Sequence, residues 1–98
     1  MSKLKIEKPS SVEKKKLGIP ANPTDVGVWS VWECKPSSFD WLYPATEVAY
    51  IYEGKVRIKT ISEEFMIGAG DLVTFPKGLT CHWEVLEKVR KVYQFDQS

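Results

Sequence analysis

Gly70-Asp71-Leu72-Val73-Thr74-Phe75-Pro76-Lys77-Gly78-Leu79-Thr80-Cys81 is the stretch that decides the fold. Gly70-Asp71 opens it, four apolar or β-branched residues follow from Leu72 to Phe75, and Pro76-Lys77-Gly78 stops them. Such a run reads as a short strand between two tight turns. The glycines supply turn conformations that other residues resist. Leu79 onward then resumes strand-like texture.

The same texture extends in both directions. Val28 to Cys34 is aromatic and β-branched, Pro36-Ser37-Ser38 breaks it, and Phe39 to Tyr43 resumes. Pro44-Ala45-Thr46 interrupts before a strand over Glu47–Tyr52. Glu53-Gly54 reads as a hairpin turn. In Lys55 to Thr60, Val56, Ile58 and Thr60 share one face, and Lys55, Arg57 and Lys59 the other. Further strands are expected over 65–67, 72–75, 79–86 and 89–95, with a turn at Glu87-Lys88. Seven or eight short strands with regular turns predict an all-β sandwich or barrel.

The N-terminal part differs. Residues 1–9 carry little pattern. Ser10 and Glu13 match a capping box, and Gly18 stands where a helix-ending glycine belongs. The expected organisation is an extension with a short helical turn over residues 1–27, then one β-domain over 28–98.

The 98 residues, 43% of them hydrophobic, are enough for one small core. Fourteen basic residues balance 13 acidic ones, so no basic face for nucleic acid is implied. Lys14-Lys15-Lys16 reads as the solvated face of the helix. No apolar run approaches a membrane span, and no leader is visible. A soluble protein of the cytoplasm or another intracellular compartment is expected, with Cys34 and Cys81 both reduced.

With these turns and strands, the chain resembles the cupins, which are small jelly-roll β-barrels. Cupins carry two motifs. The first sets two histidines one residue apart ahead of Glu-x6-Gly; here Glu47 and Gly54 keep that spacing, and the histidine positions fall on Trp41 and Tyr43. The second is Gly-x5-Pro-x-Gly-x2-His; here it runs from Gly70 through Pro76 and Gly78 to Cys81. The glycines and the proline keep architectural jobs whether or not a metal binds. Phe39 to Tyr43, Glu47 to Gly54, Gly70 to Gly78, Cys81-His82-Trp83 and Arg90 to Tyr93 are similar to a subgroup of one-domain cupins related to the cupin domain of ureidoglycine aminohydrolases. Those enzymes use manganese. The resemblance covers residues 28–95 and implies a barrel that holds a site.

Motif position and strand parity put Trp41, Tyr43, Glu47 and Cys81 inside the barrel. The last strand adds either Lys91 and Tyr93 or Val92 and Gln94. The candidate ligand pocket is Trp41, Tyr43, Glu47 and Cys81 with Lys91 and Tyr93. An ionised Glu47 there needs a partner, for which Tyr43, Tyr93 and Lys91 are candidates. Glu47 and Cys81 are the candidate catalytic groups, although a carboxylate beside a thiol does not activate it. His82, next to Cys81, is expected to face outward, and Cys34 reads as packing.

With too few converging ligands, no metal residues are assigned and no cofactor is expected; Mn, Zn or Fe is the lesser reading. The expected function is binding of a small polar molecule. The alternatives are a metal-assisted enzyme acting on a small nitrogenous or carbonyl substrate, and a ligand-free structural or regulatory dimer. Tyr50, Tyr52 and Trp83 are the candidate contacts of such a homodimer.

Overall fold

The computed structural model describes residues 4–21 and 29–96. Among them are seven strands and one helix: β1 (Lys5–Glu7), α1 (Ser11–Leu17), β2 (Ser30–Cys34), β3 (Ser37–Leu42), β4 (Thr46–Lys59), β5 (Glu64–Gly68), β6 (Leu72–Phe75) and β7 (Thr80–Asp96). The pairings are all antiparallel and follow the order β1-β6-β4-β7-β2. β3 also pairs with β7, and β5 with β4. The expected all-β jelly-roll barrel with a short N-terminal helix is the observed fold.

Two expected turns are not turns. Glu53-Gly54 lies within β4 and Glu87-Lys88 within β7, so each expected pair of strands is one long bent strand. The register between β4 and β7 shifts around Glu53 and Lys55. The cause is Gly54. Its φ is 109°, and a Cβ there would lie 2.4 Å from the Lys88 carbonyl oxygen. A bulge forms instead of a hairpin, and the strand bends around the barrel.

The bulge also changes which side chains face inward. Ala49 and Ile51 are buried before it, and Val56 and Ile58 after it, so the inward parity changes from odd to even. Without the extra residue, Val56 and Ile58 would face water. Burying each contributes about 1.5–3 kcal/mol. The spacing that sequence reading takes for a reversal is what keeps both halves of β4 apolar inside.

Two apolar clusters result. The larger fills the barrel with Tyr43, Ile51, Val56, Ile58, Ile67, Val73, Phe75, Trp83 and Val89, among others. The smaller covers the outer face with Ile19, Trp29, Tyr50, Leu72 and Val92. Tyr50, Tyr52 and Trp83 thus have partners inside this chain. Trp83 is a core residue, not a surface contact, and the Tyr52 hydroxyl donates to the Pro20 carbonyl at 2.5 Å.

The N-terminal residues are better integrated than their lack of pattern suggests. β1 pairs with β6 along the edge of the sheet. Asp71 holds this corner: it accepts from Lys8 Nζ at 2.6 Å and from the Gly68 amide at 2.8 Å. Helix α1 has the expected capping box between Ser10 and Glu13, and Gly18 ends it at φ 72°. The expected domain boundary at residues 27 and 28, and the first residue of the strand expected from Val28, lie outside the described residues.

Gly54→Ala is expected to cost about 3 kcal/mol or more, since it adds both strain and a backbone clash. Gly70→Ala also has a positive φ, but no atom lies within 4 Å of its added Cβ. It should cost only about 1–2 kcal/mol of strain. Urea denaturation of the two variants checks the difference; equal costs would contradict the close-approach account.

Candidate functional site

Segments of four strands build the site, with Trp32 supplied by β2. β3 carries Phe39 and Trp41 and ends just before Tyr43. The Tyr43 amide donates to the Leu79 carbonyl at 2.9 Å, and the Gly78 amide donates to the Tyr43 carbonyl at 2.7 Å. The Pro76-Lys77-Gly78 turn therefore fixes where Tyr43 enters the barrel. β4 contributes Glu47, opposite Phe75 on one side and Phe95 on the other. β7 places Lys91 between Trp32 and Ile51, and Tyr93 opposite Ala49. The parity left open by sequence is resolved: Lys91 and Tyr93 face inward, and Val92 packs outside.

Between these segments lies a cavity of about 170 Å³. Its walls are Trp32, Phe39, Trp41, Tyr43, Trp83, Tyr93 and Phe95, with Glu47 and Lys91 as its charged groups. The rings brace one another. Tyr43 stacks on Phe75 at 4.6 Å, Phe39 stacks on Trp83 at 5.8 Å, and Trp32 meets Trp83 edge-on at 5.7 Å. Trp83 Nε1 donates to the Tyr43 hydroxyl at 3.1 Å. Trp41 stands at the rim, 47% exposed, and meets Tyr43 edge-on.

The charges decide the chemistry. Lys91 Nζ lies 2.6 Å from Glu47 Oε2, and each residue is 5% exposed. The amine also sits 5.0 Å from the centres of Trp32 and Trp83, 5.3 Å from Tyr93 and 5.8 Å from Phe75. Aromatic faces attract a cation and so offset part of its lost hydration. Burial still dominates and holds the Lys91 amine below the ordinary lysine value; the adjacent Glu47 opposes that shift. Tyr43 is pushed upward by burial and, less strongly, by the charges of Glu47 and Cys81.

Five of the six expected pocket residues come together: Trp41, Tyr43, Glu47, Lys91 and Tyr93. Cys81 is not on the cavity wall. It packs in the core opposite Trp41. Burial pushes its thiol up to about 11, the reverse of what a nucleophile needs. Sequence reading missed Trp32, Phe39, Trp83 and Phe95. Phe39 shares the strand parity of Trp41 and Tyr43, which was a usable signal. Trp32 had none, because its inward direction depends on pairing with Lys91.

The donors of a divalent site do not converge. Trp41 and Tyr43 occupy the histidine positions, and Glu47 is held by Lys91. His82 faces away from the cavity, its Nδ1 2.8 Å from Asp40 Oδ1. Among the described residues, no group of three or more His, Cys, Asp or Glu side chains is placed to share a metal ion. Nor is any helix among the described residues long and apolar enough to cross a membrane.

Comparison with known proteins agrees with this architecture. The model of the EutQ-like cupin domain matches residues 21–93. A DUF861 family protein of Thermotoga maritima is 45% identical, with 96% of this chain and all of the other covered and a TM-score of 0.86. The EutQ protein of Clostridium difficile is 26% identical with a TM-score of 0.61; the match covers 66% of this chain but only 52% of that protein. A cupin-2 domain protein of Shewanella frigidimarina, at 17% identity and a TM-score of 0.59, shares the fold. No curated protein matches the chain.

Two measurements check the electrostatics. Glu47→Gln or Lys91→Met alone strands a buried charge and should cost about 3–5 kcal/mol, whereas the double variant should recover much of that loss. Chemical denaturation in a double-mutant cycle reads the coupling; additive losses would contradict the pairing. The second concerns Cys81. Its folded value is raised, so its contribution to stability is complete below pH 9 and is lost as pH rises to about 11. Cys81→Ala should therefore flatten the alkaline decline in that window, leaving the part due to Tyr43. An unchanged slope would contradict it.

Proposed function

This chain belongs to the EutQ-like cupin family, and we propose that its barrel binds a small, planar, polar molecule without help from a histidine-held metal. The observation that carries this reading is the buried Glu47–Lys91 pair at an aromatic-walled cavity. A core built only for stability gains nothing from that pair. Burying two charges costs several kcal/mol per ion, and apolar residues of similar volume serve as well or better. The pair is best explained by a ligand that uses it.

Size and chemistry narrow the ligand. A cavity of roughly 150 Å³ accommodates benzene, so about 170 Å³ suits one ring, or a chain of similar bulk. Stacked and edge-on aromatic walls favour a flat molecule. The polar end would be an oxygen-bearing group, a carbonyl, amide or carboxyl, directed at Lys91. The anchor is therefore Glu47 with Lys91, not Glu47 with Cys81. The enzymatic alternative keeps one specific support, the Lys91 amine held below its ordinary value.

Thermal-shift and tryptophan-fluorescence titrations with benzamide, benzoate, small ureides and sugars test this reading. Saturable binding of a planar ring compound is expected. Trp41→Ala should weaken it about tenfold, the scale of one good aromatic contact. Adding manganese, zinc or iron should leave melting unchanged. Indifference to every planar polar compound, or stabilisation by a metal ion alone, would contradict the proposal.

A further inference from the structure

Lys91 is a strange choice for a mere binding group. Its ammonium hydrogens are directed into a barrel where Glu47 takes one strong hydrogen bond and four aromatic rings surround the rest. Arginine, always charged and planar, suits simple recognition of carboxylates better. Lysine differs in one useful respect: it can lose its proton and become a nucleophile. We propose that the cavity takes a small ring aldehyde or ketone and that Lys91 Nζ condenses with its carbonyl to form an imine. This inference rests on the preceding reading of the cavity as a ligand site, and it names the ligand class and the chemistry.

Glu47 makes the step balance. At 2.6 Å the ammonium can pass one proton to the carboxylate, and burial narrows the energy gap between the ion pair and the neutral pair. Rotation about Cε–Nζ turns the freed lone pair towards the cavity. The N–C bond forms as the C=O π electrons move to oxygen, and that oxygen takes the proton from Glu47. Glu47 then removes a second proton from nitrogen and delivers it to the hydroxyl. The C–O bond breaks, water leaves, and the nitrogen lone pair closes the C=N bond. The products are an iminium on Lys91, a carboxylate on Glu47 and one water. No oxidant, reductant or metal enters.

The surroundings fit that outcome. The iminium keeps the positive charge where the ammonium had it, among the same rings and beside the same carboxylate. Aromatic walls hold the ring of the ligand and limit the water that would hydrolyse the product. The other titratable groups around Lys91 are Cys81, Tyr43 and Tyr93. The first two are raised by burial and stay neutral, so Glu47 alone shuttles protons.

Benzaldehyde with sodium cyanoborohydride tests the inference on the full chain, with peptide mapping by mass spectrometry. The reductant converts any imine into a stable benzyl-lysine. Lys91 is expected to be modified at least tenfold faster than any exposed lysine, and benzamide should protect it competitively. Glu47→Gln should slow Lys91 modification at least tenfold while circular dichroism stays native. The wild-type map decides the matter even if that variant fails to fold. Benzyl groups on exposed lysines only, with benzamide still binding, would overturn the imine and leave the binding site standing. If neither benzamide binds nor Lys91 reacts, both readings fall.

Discussion

Glu47 and Lys91 stand 2.6 Å apart inside a 98-residue barrel, and neither has enough water to be stable alone. Their neighbours can be understood as compensation. Four aromatic rings lie within 6 Å of the amine. These rings are themselves locked by stacking and by the Trp83–Tyr43 hydrogen bond. A small domain has little stability to spare, so the pair constrains which residues the barrel can tolerate around it. It also explains why the cavity remains: filling it with apolar side chains would remove the last polar access to two buried charges.

The architecture was largely legible because turns depend on local chemistry. Gly70, Pro76-Lys77-Gly78 and the Ser10–Glu13 capping box each act within a few residues. Sequence and structure part where distance in sequence and distance in space diverge. Gly54 looks like a hairpin glycine until β7 is placed against it, with the Lys88 carbonyl filling the space a side chain would need. β1 has almost no pattern of its own and exists because β6 offers it an edge. Long-range pairing, unlike turn chemistry, leaves little trace in neighbouring residues.

The site followed the same division. Trp41, Tyr43 and Glu47 were found through motif spacing and strand parity, which carry across a few residues. Sequence narrows the partner of Glu47 to three candidates, because the pattern of the last strand fits either face inward. Cys81 shares the inward parity but packs in the core opposite Trp41 and not on the cavity wall, since parity says nothing of depth. Trp32 and Phe95 leave no local trace, because their directions depend on which strands β7 pairs with, whereas Trp83 shares the parity of Cys81. Around Glu47 this chain carries ring walls, and a lysine amine stands beside the carboxylate.

The central claim is that Lys91 is buried, paired with Glu47 and held below ordinary lysine behaviour. A heteronuclear NMR pH titration of the lysine side chains measures this directly. The account predicts that one resonance, assigned to Lys91 by its loss in Lys91→Met, titrates below all the others, and still lower in Glu47→Gln, where the carboxylate that favours the charged form is gone. A Lys91 resonance that titrates with the surface lysines, near about 10.4, and ignores the Glu47 substitution would contradict it.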